Sequence, residues 1–138
     1  MRLGPQNRGE KKMALVRFEK VTRQAKHDFP AASIYVKMSR IVFNKATFKL
    51  LQEINKGEEV DNLVIYTDTD NKNVFYAAPA KADATDARKL GKTSKTGRFL
   101  DGKHLMKSLD WNFSAPITLK VERNKKGNMI KISKNAVV

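Results

Sequence analysis

Residues 41–57 read IVFNKATFKLLQEINKG. Asn44 carries a short polar side chain of the kind that accepts a hydrogen bond from first-turn backbone N–H groups, which marks it as a helix N-cap. Thr47, Leu50, Leu51 and Ile54 follow at i, i+3, i+4 and i+7, and Gly57 is placed where a left-handed residue ends a helix. The spacing predicts a helix over 45–55, entered from a short strand at Ile41 to Phe43.

Working outward, NLVIYT (62–67) and VFYAA (74–78) flank DTDNKN, whose Asp and Asn residues tolerate turn conformations, so this region reads as a hairpin. On the other side, SIYVKM (33–38) alternates cleanly. Ile34, Val36 and Met38 share one face while Tyr35, Lys37 and Ser39 share the other, as in a half-buried strand. The phase slips before Ile41, which points to a bulge or tight turn at Ser39–Arg40. Further upstream, ALVRFEKV (14–21) reads as another strand. Residues 1–12 combine Gly, Pro, Asn and charge with no apolar period and read as a disordered basic leader; Met13 is a second candidate start.

The same order recurs downstream. RFLD (98–101) leads into a short helix over about 102–109 capped by Asp101, then ITLKVE, the turn RNKKGN, and MIKIS. Both halves run strand, N-cap, helix, strand, turn, strand, at an offset of about 54–57 residues. One such unit exposes an apolar sheet face, and two related by a pseudo-twofold close it into a barrel. The expected fold is therefore α+β. It is a small antiparallel β-barrel-like single domain, residues 13–138, with two short helices and two pseudo-repeated β-α-β-β units at about 33–80 and 97–134, joined by a basic loop at 81–97.

Charge supplies the functional signal. The chain has 28 Lys and Arg against 14 Asp and Glu, a net +14, and the two signs are segregated. Acids dominate from Glu53 to Asp86, whereas Arg88 to Lys107 has seven cations opposed by Asp101 alone. Such segregation favours a polyanionic partner, DNA or RNA, held through phosphate contacts that do not require a particular base. The expected contact set is Arg88, Lys89, Lys92, Lys95, Arg98, Lys103 and Lys107, with Tyr35 as a base-stacking platform beside Lys37. A competing reading is a small structural or accessory component of a virion or mobile-element assembly, either homo-oligomeric or binding an acidic protein partner.

Catalysis finds little support. There are no cysteines and two histidines, His27 and His104, so neither thiolate chemistry nor a metal cluster is expected, and no cofactor is implied. GKTSKTG (91–97) lacks the residue order and the strand-loop-helix setting of a nucleotide-binding loop. The expectation is a non-enzymatic protein. No apolar run approaches the roughly 20 residues of a membrane span, which suggests a cytoplasmic protein or one built into a particle assembled inside a cell.

Around the stretch MSRIVFNKATFKLLQEINKGEEVDNLVIYTDTDNKNVFYA, residues 36–78 resemble the AbrB-like swapped-hairpin (cradle-loop barrel) family of DNA-binding proteins. The resemblance lies in Ser39-Arg40, the strand Ile41 to Phe43, Asn44-Lys45, Leu50-Leu51, GEEV at 57–60, and the hairpin that follows. Asn44 stands where the family usually has proline, and Ser39 where it has glycine. The resemblance implies that Arg40 and Lys45 contact DNA. It also implies a barrel that the family assembles from two chains and that an internal repeat would supply from one.

Overall fold

The structure, a computed structural model, describes residues 27–95 and 97–138. The expected leader at 1–12 and the expected strand at 14–21 lie outside the described residues. The elements are β1 (Ala31–Tyr35), β2 (Arg40–Phe43), α1 (Lys45–Ile54), β3 (Asn62–Asp68), β4 (Asn71–Ala80), β5 (Arg88–Lys89), β6 (Gly91–Lys92), β7 (Arg98–Asp101), α2 (Lys103–Leu109), β8 (Ile117–Arg123) and β9 (Ile130–Val137).

Local sequence explains the helices. Asn44 Oδ1 accepts hydrogen bonds from the Thr47 backbone N–H at 2.9 Å, the Thr47 hydroxyl at 2.8 Å and the Ala31 N–H at 3.1 Å. The cap residue therefore also pins the helix start to the beginning of β1. At the far end the Gly57 N–H reaches the Gln52 carbonyl at 2.7 Å, and both Lys56 and Gly57 adopt positive φ, 60° and 85°. α2 begins at Lys103 rather than 102. Its N-cap is Gly102, which has no side chain to cap with, and not the expected Asp101, which sits one residue earlier and accepts from the Lys103 N–H at 3.1 Å.

Two turns also follow from composition. Asp68 accepts from the Asp70 N–H and Asn71 from the Asn73 N–H, so the Asp/Asn stretch closes the β3–β4 hairpin and itself enters the strands. Asn124 accepts from the Asn128 and Met129 N–H groups in the β8–β9 turn, where Gly127 takes φ 76°.

The β1–β2 connection departs from expectation. β1 ends at Tyr35, and residues 36–39 form a turn closed by Ser39 N–H to the Val36 carbonyl at 3.1 Å, with Ser39 at φ 53°. Because Tyr35 pairs with Arg40, the chain must reverse within those four residues. Val36 and Met38 thus leave the buried face that Ile34 keeps, and stand 41% and 56% exposed.

All strand pairs are antiparallel, and the sheet order is β5-β3-β4-β9-β8-β1-β2-β7-β6. The two end strands are separated in sequence by one residue, Leu90. A single stretch, 88–92, therefore lies along both edges of the sheet and brings it nearly to closure, leaving little edge for another chain to pair with. Leu90 turns its side chain into the core, and its N–H donates to the Asp61 carbonyl at 2.8 Å. Beside it the Phe99 ring occupies the space a side chain at residue 91 would need, which is why glycine stands there.

The core fills the interior from both halves: Ile34, Ile41, Phe43, Leu51, Leu63, Phe75, Leu100, Leu119, Ile130 and Ile132 are all buried in one cluster. Each such side chain contributes about 1.5–3 kcal/mol by leaving water. α1 adds Phe48 and α2 adds Leu105 and Leu109.

The topology carries the internal repeat, in a longer form than the sequence suggests. Exchanging β2 with β7, β3 with β8, β4 with β9, and β1 with the 88–92 stretch returns the same circular strand order. Each unit is thus β-β-α-β-β. Residues 81–97, expected to be a joining loop, supply in 88–92 the first strand of the second unit; its partners, Asn62, Leu63, Arg98 and Phe99, are distant or non-alternating in sequence, so no local period announces it.

Candidate functional site

The register of β2 against β7 decides where the expected cations point. Ile41 faces Leu100 and Phe43 faces Arg98 on the buried side, while Arg40 faces Asp101 on the exposed side. The candidate residues accordingly fall into two groups, one toward each end of this ladder.

At one end lie Tyr35, Arg40, Lys103 and Lys107. Tyr35 is the cross-strand partner of Arg40, whose guanidinium sits 4.2 Å from the centre of the Phe99 ring. The Gly102 N–H donates to the Ser39 carbonyl at 2.7 Å, tying the β1–β2 turn to the start of α2. Between turn and helix opens a groove of about 250 Å³, walled by Tyr35, Val36, Met106 and Phe113, with Lys103 and Lys107 also lining it. Trp111 forms its inner wall, held by an Nε1–H bond to the Lys72 carbonyl at 2.6 Å and by edge contact with Phe113 at 6.0 Å.

Toward the other end lie Lys45, at the start of α1, and the closing stretch with its loop: Arg88, Lys89, Lys92, Lys95 and Arg98. Arg88 is half-buried, and Lys45, Lys89, Lys92 and Lys95 are exposed. Arg98 is a correction to the expected contact set. It is only 4% exposed, because the register places it on the inner face opposite Phe43. Its Nη1 donates to the carbonyls of Gly97, Lys95 and Ser94 at 3.0, 3.2 and 3.5 Å, its Nη2 lies 3.9 Å from a Glu59 carboxylate oxygen, and the group covers the Phe48 ring at 4.2 Å. This guanidinium holds the backbone at Ser94, Lys95 and Gly97 to the barrel. An approaching phosphate does not meet it.

Arg40, Lys45, Arg88, Lys89, Lys92, Lys95, Lys103 and Lys107 have no carboxylate within 4 Å among the described residues; the ion pairs found there are Arg98–Glu59 and Arg123–Glu53, each at 3.9 Å. The acids of the 53–86 region are themselves exposed rather than folded against these cations.

Lys49 is an exposed cation outside the expected contact set. Aligning RIVFNKATFKLL (40–51) with RFLDGKHLMKSL (98–109) without a gap pairs Arg40 with Arg98, Lys45 with Lys103, Lys49 with Lys107 and Leu51 with Leu109. Each helix thereby carries two lysines at i and i+4, on one face, and all four are exposed. That repeat spacing is the sequence signal that points to Lys49. Burial matches at an offset of 58 in the helices (Leu51 with Leu109) but 57 in the strands (Ile41 and Phe43 with Arg98 and Leu100). The additional residue is Gly102, buried where a side chain would press on Ile41 at 3.0 Å. A one-residue slip exchanges strand faces, so the aligned arginines point oppositely.

Compared with known protein families, with curated proteins and with solved structures, the chain matches none. No helix among the described residues is long and apolar enough to cross a membrane. Among the same residues no three of His, Asp and Glu gather as a metal site.

Proposed function

We propose that this protein binds nucleic acid without catalysing a reaction on it, holding the phosphate backbone with lysine and arginine side chains from two helices and the barrel-closing stretch. The observation that carries the reading is a set of seven exposed cations, Arg40, Lys45, Lys89, Lys92, Lys95, Lys103 and Lys107, none with a carboxylate partner within 4 Å among the described residues. Lys49 extends the set. Cations left without internal partners are available to neutralise phosphates, and each phosphate neutralised releases counterions condensed on the nucleic acid, which drives binding. The resemblance of residues 36–78 to the AbrB-like family points to the same class of partner.

The test is a salt titration of nuclease-treated protein against single-stranded DNA, duplex DNA and RNA. Replacing Lys45, Lys49, Lys103 and Lys107 together by Ala is expected to lower affinity and to flatten the slope of log K against log salt by about 0.7–0.9 for each phosphate that is no longer neutralised. An unchanged slope removes the helices from the interface. Binding to none of the three polymers overturns the reading, and light scattering that falls with salt in protein alone then favours assembly through the acidic 53–86 surface.

A further inference from the structure

The groove between the β1–β2 turn and α2 has features that phosphate binding does not use. Its walls are Tyr35, Met106 and Phe113, each half-buried, and Val36 at its mouth is 41% exposed. Met38, in the same turn, is more exposed still. Two exposed lysines, Lys103 and Lys107, line it one helical turn apart. Asp110 is the carboxylate in the lining, and its Oδ1 accepts from Asn112 Nδ2 at 3.0 Å.

In the related half of the molecule the equivalent helix position is covered. There Phe48 of α1, the counterpart of Met106 at the helix offset of 58, is covered by the Arg98 guanidinium. Met106 has no such cover from Arg40, which lies on Phe99 instead.

We propose, resting on the nucleic-acid reading above, that this groove receives one unpaired base of a single strand, with the flanking phosphates on Lys103 and Lys107. Aromatic and apolar walls accept any base through its flat face, and cations on the rim suit the backbone that carries it. The groove holds one base and its sugar. A base kept in a duplex is stacked and paired and does not reach it, so single strands are preferred over duplex.

Trp111, the chain's one tryptophan, forms the inner wall and reports directly on occupancy. The experiment titrates the full chain with labelled oligo(dT), an RNA single strand and a DNA duplex of equal length, reading label anisotropy and Trp111 fluorescence together. Single strands are expected to change both signals, and duplex anisotropy alone. Tyr35→Leu is expected to weaken single-strand binding about 5- to 100-fold while sparing the duplex. Val36→Asp, at an exposed turn position, is expected to do the same without burdening the fold.

Single strands that raise anisotropy but leave Trp111 and both variants unaffected overturn the groove and spare phosphate binding. Trp111 quenching by polyglutamate, with nucleic acids silent, assigns the groove to an acidic peptide and overturns the proposal. Failure of every nucleic acid to bind overturns both readings.

Discussion

The two halves of this barrel share a strand order and a helix with lysines at i and i+4, yet they use an arginine in opposite ways. In the second half Arg98 points inward, covers Phe48 and gives Nη1 hydrogen bonds to the carbonyls of Ser94, Lys95 and Gly97. In the first half Arg40 points outward, lies on Phe99, and leaves the groove beside Met106 open. One half spends its guanidinium on structure. The other leaves cation, aromatic ring and cleft together at the surface, so equivalent topology does not mean equivalent chemistry.

The contrast is sharpest in stability. Arg98→Ala removes the Nη1 hydrogen bonds to the Gly97, Lys95 and Ser94 carbonyls and the cover of Phe48, so urea unfolding is expected to show a loss of about 2 kcal/mol. Arg98→Ala melting like the parent protein would show that the buried guanidinium holds nothing.

The two helix starts give a second contrast: Asn44 is the N-cap of α1, whereas α2 has Gly102 at that position and Asp101 just before it. Asn44 accepts from three donors and its Nδ2 donates to the Phe29 carbonyl at 2.9 Å, joining α1 to the entry of β1. Asp101 accepts from Lys103 alone among the hydrogen bonds found. Asn44→Ala is expected to cost about 1–2 kcal/mol and Asp101→Ala about 0.5 kcal/mol, by the same unfolding measurement. Equal losses would mean that the first cap works only as a helix cap.

The smallest effect belongs to Arg40→Ala, which removes an exposed cation–ring contact and is expected to change stability by about 0.5 kcal/mol. Its consequence should appear instead as weaker nucleic-acid binding with a lower salt slope. A stability loss matching that of Arg98→Ala would erase the distinction between the two arginines.

Much of the fold was legible locally. α1 announced itself through Asn44, the apolar period from Thr47 to Ile54, and Gly57, all of which act over distances of a few residues. The hairpins were marked by DTDNKN and RNKKGN, whose side chains do fold back on their own backbone. The repeat was visible as an order of elements. The first strand of its second copy was not, because 88–92 contributes one core residue, Leu90, among glycine and basic side chains. Val36 and Met38 misled for a related reason: alternation continued in the sequence after the backbone had already turned.

The candidate site was legible as composition and not as geometry. Segregated charge singled out Arg88 to Lys107, and most of those cations do reach solvent. Lys49 was hidden inside the helix pattern, and Arg98 was indistinguishable from its neighbours.

By itself the sequence determined the helices, the hairpin turns at 68–73 and 123–128 and the order of elements, since each rests on residues close together in the chain, and its composition set the surplus of positive charge. Tertiary structure alone decided that 88–92 closes the sheet, that one arginine goes in and the other out, and that a groove opens between the β1–β2 turn and α2. Those outcomes depend on strand register, and register is set by partners tens of residues away and reversed in its faces by one added glycine.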